Sequence, residues 1–244
     1  MFSVLKTSSV LDLPIHITDS YIQWIVEQWQ QRKGLHIITL NAEMTMQAQH
    51  NEQLSTIIKR AELVIPDGAG VTLFLKSKGE KVQRCPGIEL AQDLLAVACQ
   101  NQWRICLIGG TPSVLEKTLH HWQTKLSGLQ ILNAFDGYFG SDQESMILQT
   151  LAELQPDLIL VALGVPRQEV WIAQNRDHCP HAIWMGVGGS FDVWAGVKKR
   201  APRLLRENNL EWLYRLYQEP WRWRRMLALP QFVWRVVINN GEKN

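Results

Sequence analysis

Apolar positions along the chain fall into short runs separated by stretches of helical period, and this alternation predicts the elements. Leu35–Leu40, the run Leu63-Val64-Ile65-Pro66, Arg104–Ile108, Leu129–Phe135, Asp157–Leu163 and Ala182–Val187 read as strands. Asp157–Leu163 is almost wholly apolar, as in a strand covered by helices on both faces. Helical spacing fills the intervals. Asp19 is placed to cap a helix running to about Arg32, with Ile22, Ile25, Val26 and Trp29 on one face. Further helices are expected over Ala42–Arg60 (of low apolar density), Gly70–Lys78, Glu89–Gln100, Thr111 to about Lys125, Ser141–Leu154, and from Gly164-Val165-Pro166 to about Asn175. Residues 1–18 carry little pattern beyond a short strand at Ile15-His16-Ile17.

Strand and helix in alternation predict an α/β fold: a doubly wound, mostly parallel sheet with helices on both faces. This domain is expected over 1–200. From about Ala201 the pattern turns wholly helical, so 201–244 is read as a helical C-terminal appendage. Ligands of such sheets bind at the strand carboxyl ends. Nearly every predicted strand here ends in polar or glycine-rich sequence: Thr39/Asn41, Asp67-Gly68, Gly109-Gly110, Asp136-Gly137, Gly164 and Gly188-Gly189. Thr39 and Asn41, two apart, point to the same side. All of these ends are expected around one cleft.

Pro66-Asp67-Gly68 is the focus of this arrangement. Alone it reads as a turn, since Asp favours turns and Gly supplies positive φ. At the mouth of a cleft, Asp67 is a candidate general base. Gly109-Gly110-Thr111-Pro112 opens a helix whose N-terminus suits phosphate or is simply a tight turn; it lacks the G-x-G-x-x-G spacing of a dinucleotide site. Arg167 and Gln168 sit in a first helical turn, where Gln168 is placed to bond a sugar or ribose hydroxyl or is merely solvated. Gly188-Gly189 allows close backbone approach, and Asp192 either accepts from a nucleobase or ribose or caps the next helix. His178-Cys179-Pro180-His181 reads as a surface loop, having no second half of a metal site.

Composition narrows the class. With 46% hydrophobic and 20% charged residues over 244 positions, the chain has enough apolar sequence for a sizeable core. No stretch of about 18 apolar residues exists to span a membrane, and the start does not look like a signal peptide. Cys85, Cys99, Cys106 and Cys179 read as reduced thiols, with Cys99 and Cys106 in the core. The net charge of +2 conceals an asymmetry, because arginines and lysines crowd the segment after Lys198. There Trp212, Trp221, Trp223 and Trp234 alternate with Arg215, Arg222 and Arg225, a mixture suited to an anionic membrane surface. A homo-oligomer interface is the second reading of this tail, and no nucleic-acid partner is expected. The sequence has no Asp-x-Asp pair, no G-x-S-x-G elbow and no P-loop, which disfavours metal-assisted transfer and triad hydrolysis.

Taken together and in order, Thr39-Leu40-Asn41-Ala42-Glu43, Ile65-Pro66-Asp67-Gly68, Arg84-Cys85-Pro86-Gly87-Ile88-Glu89, Ala162 to Glu169, Gly186 to Asp192, Arg200-Ala201-Pro202 and Glu211-Trp212-Leu213-Tyr214-Arg215 resemble the WecG/TagA/CpsF family of bacterial glycosyltransferases. The resemblance implies an inverting, metal-independent enzyme without a cofactor. It would move N-acetylmannosamine or a related sugar from a UDP-sugar donor to a polyprenyl-diphosphate-linked acceptor, for cell-surface polysaccharide or teichoic-acid-type polymers. It further implies a cytoplasmic protein peripheral at the inner face of the cell membrane. The family's base matches Asp67, its donor-site residues Thr39, Asn41 and Gln168, and its loop arginine Arg84. Its nucleotide-side glycines and acid match Gly188, Gly189 and Asp192, and its closing arginines match Arg215, Arg222 and Arg225. Cys85 stands where an aliphatic residue is expected. Two readings outside this class stay open from the residues alone: a non-catalytic nucleotide-sugar-binding protein at the membrane, and a nucleotide-cofactor enzyme of the same fold class.

Overall fold

A computed structural model describes residues 4–208 and 210–241. A hairpin, β1 (Lys6–Val10) and β2 (Leu13–Ile17), leads into α1 (Tyr21–Gln30). Then follow β3 (Leu35–Leu40), α2 (Ala42–Ala48), α3 (Glu52–Arg60), β4 (Leu63–Pro66), α4 (Ala69–Ser77) and α5 (Gly87–Gln100). The second half runs β5 (Arg104–Gly109), α6 (Pro112–Lys125), β6 (Gln130–Phe135), α7 (Ser141–Leu154), β7 (Leu158–Ala162), α8 (Arg167–Asn175), β8 (Ile183–Gly186) and α9 (Ser190–Trp194). The chain ends in short helices: α10 (Arg203–Glu207), α11 (Glu211–Gln218), a 3-10 turn at Pro220–Arg222, α12 (Trp223–Met226) and α13 (Ala228–Gly241).

The six strands β3 to β8 form one parallel sheet in the order β4-β3-β8-β7-β5-β6, so the expected α/β fold is present, with the helical C-terminal region after it. The period of two along each strand sorts the core. Leu35, Ile37, Leu63, Ile65, Ile105, Leu107, Leu158, Leu160, Ile183 and Met185 face a single large cluster beneath α1, α5, α6 and α9. The alternate residues face the other side. There the apolar packing divides in two: Ile38, Leu40 and Val64 pack with α2, α3, α4 and the hairpin, while Cys106, Ile108, Ile159, Val161 and Trp184 pack with α7 and α8.

Four expectations change in detail. The first 18 residues hold a full hairpin. Its turn residues Leu11 and Asp12 both have positive φ (46° and 64°), the backbone of a two-residue primed turn without the usual glycine, so the turn signal is missing from the sequence. Ser20 caps α1 instead of Asp19, its side chain accepting from Gln23 N. The segment 42–60 is two helices, because Asn51 Oδ1 accepts from Leu54 N at 3.0 Å and starts a second one. Cys179, in the loop read as surface, is buried with its thiol donating to Leu151 O, whereas Cys99 is only partly buried.

The C-terminal region is anchored. Phe232 and Val236 of α13 are buried in the cluster that contains Val71, Phe74 and Val82, and Phe232 meets Phe74 edge-on at 6.4 Å.

Candidate active site

The carboxyl ends of β3, β4, β7 and β8 open onto a cleft of about 530 Å³. Its floor and walls bring together Thr39, Asn41, Asp67, Arg84, Gln168, Gly188 and Gly189, and the C-terminal region adds Arg215 and Arg225. The strand order explains which loops converge. The four contributing strands are neighbours, while β5 and β6 lie at the far edge. The loops Gly109-Gly110 and Asp136-Gly137 accordingly stay out of the cleft, contrary to expectation. Gly109 has a packing role instead: a Cβ there would lie 2.4 Å from Ala162 O.

Asp67 follows the last residue of β4, and its N–H donates to Leu40 O at 2.9 Å, which fixes the backbone beside β3. Its carboxylate is 23% exposed, at the base of the cleft, with Arg84 Nη2 at 3.9 Å from Oδ1. Burial pushes the Asp67 carboxyl up from its ordinary value. Arg84, Arg215 and the Gly87 N–H at the start of α5 oppose that shift without cancelling it. The result is a carboxyl more basic than that of an ordinary aspartate.

Arg84 is held by a residue that the sequence did not mark as part of the site. Its Nη2 donates to Glu211 Oε2 at 2.8 Å. Glu211 also meets Arg215 at 3.2 Å and Arg200 at 3.6 Å. Burial alone would raise the Glu211 carboxyl, but Arg215, Arg84 and Arg200 together hold it below the usual range. Arg200 and Arg206 continue the network to Glu89. The tail is thereby tied to the mouth of the cleft by charge as well as by α13. Arg215 was a candidate from the family resemblance, whereas Glu211, one helical turn before it, was not marked. Nothing in the sequence indicated that Arg84, 127 residues away, shares that carboxylate.

The remaining candidates divide. Asn41 caps α2, its Oδ1 accepting from Met44 N at 2.9 Å. Gln168 lies in the wall, but it is not the solvated side chain considered from sequence. Its oxygen accepts from Gly164 N (3.2 Å) and Gly188 N (3.0 Å), and its amide nitrogen donates to Glu169. Asp192 stands behind Gly189, outside the cleft lining, with its carboxylate 3.0 Å from Lys198 Nζ. It does not cap α9, whose N-cap is Gly189. Arg225 lines the mouth, paired with Glu43 at 3.1 Å. The side chain of Arg222 lies outside the described residues. Lys198, Glu43, Met44 and Trp221 also line the cleft, none of them a candidate site residue from sequence. Among the described residues, no group of three His, Cys, Asp or Glu side chains is arranged to hold a metal ion.

A parallel sheet with a basic carboxylate and several arginines at its strand carboxyl ends has the form of an α/β enzyme site. Comparison with known proteins narrows that class. Residues 8–244 match the model of the glycosyl transferase WecG/TagA/CpsF family, and the chain belongs to that family. It is a glycosyltransferase. Three similar proteins carry the name N-acetylglucosaminyldiphosphoundecaprenol N-acetyl-beta-D-mannosaminyltransferase. The one from Bacillus spizizenii is 37% identical over 85% of this chain and 80% of its own length. That from Bacillus subtilis is 32% identical over 98% of this chain and 94% of its own length. That from Staphylococcus aureus is 32% identical over 85% and 82%.

Proposed function

We propose that this glycosyltransferase moves N-acetylmannosamine, or a closely related sugar, from a UDP donor to a polyprenyl-diphosphate-linked N-acetylglucosamine, in the synthesis of a cell-surface polymer. The names of the three relatives supply the sugar and the acceptor. The observation that carries the mechanism is Asp67, whose carboxyl is made more basic by burial 3.9 Å from Arg84. In a single displacement the acceptor hydroxyl oxygen attacks the anomeric carbon and passes its proton to Asp67. The bond from that carbon to the donor phosphate oxygen breaks, UDP leaves with the electron pair, and the anomeric configuration inverts.

Charge on the leaving diphosphate calls for fixed positive groups. Arg84, Arg215 and Arg225 line the cleft and supply them, with Arg222 assigned the same role from sequence, so the reaction as proposed proceeds without a metal. Thr39 and Asn41 face the donor sugar, and the Gly188-Gly189 loop, backed by Asp192, faces the nucleotide. Gln168 contributes through the loops it holds.

Trp212, Leu213, Tyr217, Trp221, Trp223, Trp234 and Val237 are exposed on the C-terminal helices, and Trp221 also lines the cleft. That surface of aromatic and basic residues suits the membrane in which a polyprenyl acceptor resides. No described helix is long and apolar enough to cross a membrane. Attachment is therefore proposed to be peripheral, at the inner face.

The test is a panel of UDP-sugars with a polyprenyl-diphosphate N-acetylglucosamine acceptor, with and without chelator. UDP release with UDP-N-acetylmannosamine that survives chelation supports the reading. Release only from another donor class, or only with added metal, overturns it.

A further inference from the structure

A buried polar chain runs behind the cleft, where an apolar core would be expected. On this face of the sheet the apolar packing divides into two clusters, and His36 of β3 lies where they meet. Ile38, two residues on, belongs to one cluster, and Trp184, in register with His36 on β8, belongs to the other. His36 Nε2 lies 2.8 Å from Glu169 Oε2, and both side chains are almost completely buried, at 2% and 1% exposure. Glu169 Oε1 accepts from Gln168 Nε2 at 2.9 Å. Behind His36, its backbone N–H donates to Glu62 at 2.7 Å, and Glu62 in turn is gripped by both terminal nitrogens of Arg176.

A buried ionisable pair is a poor way to gain stability, because desolvation offsets most of its attraction. This pair does have a geometric consequence. The N–H groups of Gly164 and Gly188 both donate to the Gln168 oxygen, which turns its amide nitrogen to the other side, where it needs an acceptor. Glu169 is that acceptor, and His36 holds Glu169. The loops closing β7 and β8 are thus pinned to one side chain, and that side chain has one permitted orientation. Gly186 fits the same design: a Cβ there would lie 2.3 Å from Gln168 Nε2 and 2.6 Å from Glu169 Oε1. Only a glycine at the end of β8 leaves room for the amide and the carboxylate side by side.

We infer that His36 and Glu169 are positioning residues. They orient the Gln168 amide and thereby hold the Gly164 and Gly188 loops at the spacing that binds the donor. The inference rests on the proposed donor reading for its kinetic readout but not for its structural one.

The experiment compares Glu169→Met, Gln168→Met, the double variant and Glu169→Gln. Backbone hydrogen exchange needs no substrate. Glu169→Met should speed exchange at Gly164 and Gly188 by about tenfold or more, the loss of one ordinary hydrogen bond, while the β1–β2 hairpin amides keep their rates. With the UDP-sugar donor, KM should rise by about tenfold with kcat within about threefold, the pattern of lost ground-state binding. The double variant should be no worse than Gln168→Met. Glu169→Gln should restore both readouts, because its oxygen can face Gln168 and its NH₂ can face His36. Unchanged exchange at the two glycines overturns the inference, as do additive effects of the two methionine substitutions. If Glu169→Met does not fold, His36→Leu leaves the carboxylate in place and should give the same pattern at smaller amplitude; unaltered exchange in that variant is equally fatal. Inactivity of the wild type with every UDP-sugar would remove the donor reading alone, since the exchange data stand without it.

Discussion

Asp67 combines two environments that pull in opposite directions. The cleft floor strips water from the carboxylate and raises its pKa, while Arg84 and Arg215 favour the charged form and lose. A base of this kind is useful only when ionised, so turnover should fall as pH drops, with its acid limb above the ordinary aspartate range. A pH profile of kcat checks this. Asp67→Asn should lower turnover by roughly 100-fold or more, the usual weight of a general base, while UDP binding measured by calorimetry survives. The same shift has a cost for the fold. Between the ordinary and the raised pKa the folded state binds more protons than the unfolded state, so stability declines as pH rises through that window. Asp67→Asn should therefore raise the melting temperature at neutral pH and leave it nearly unchanged in acid. Glu211 has the opposite sign. Its carboxyl is held low by three arginines, so the stability it contributes is lost as pH falls through its folded value. At this scale Asp67 was readable, since Asp-Gly after a buried strand places an acid at a strand end. Glu211 was not, because its partners Arg84 and Arg200 are brought to it by folding.

Among the elements, β8 and α8 show how closely the wall is built. Gly186 admits the Gln168 amide and the Glu169 carboxylate beside it. Gly186→Ala should destabilise the protein by about 1–3 kcal/mol through overpacking, measured by denaturant unfolding, and should weaken donor binding as well. The strand predicted over Ala182–Val187 runs into Gly188-Gly189, and close approach to a ligand was the natural reading of the glycines in Gly186-Val187-Gly188-Gly189. In the structure one of these glycines serves a buried side-chain network, a distinction that depends on which helix covers the sheet. The division of 42–60 into α2 and α3 shows a similar limit. The helical period continues past Asn51, but its side chain caps a new start and turns the chain. The edge strand β4 is protected by the hairpin, whose His16 Nδ1 accepts from Val64 N at 2.9 Å.

For the whole molecule the main question is how the C-terminal helices relate to the sheet. Phe232 and Val236 are buried in the second-face core, and Arg225 reaches Glu43 on α2. Phe232→Ala should cost about 3–5 kcal/mol locally, as for other buried aromatic truncations, and should release α13, detectable as faster exchange along that helix. Because Glu211 and Arg215 stand beside Arg84, an enzyme cut after Ala201 should lose turnover even if its sheet still folds. The exposed tryptophans and arginines of the same helices predict binding to liposomes that depends on anionic lipid and weakens with salt. Sedimentation of the full chain and of the truncated chain with such liposomes is the check, with binding expected only for the former.

The sequence by itself determined the six strands of the main sheet and their parallel sense, and marked their carboxyl ends as polar, since apolar period and strand-end polarity are local properties. It also determined the family, because motifs kept in order along a chain need no coordinates to be compared. Only the tertiary structure decided that β5 and β6 stand apart from the cleft, that Glu211 joins Arg84 to the tail, and that His36 and Glu169 lie behind Gln168. Each of these depends on which strands are neighbours and on contacts between residues far apart in sequence, and neither periodicity nor spacing carries that information.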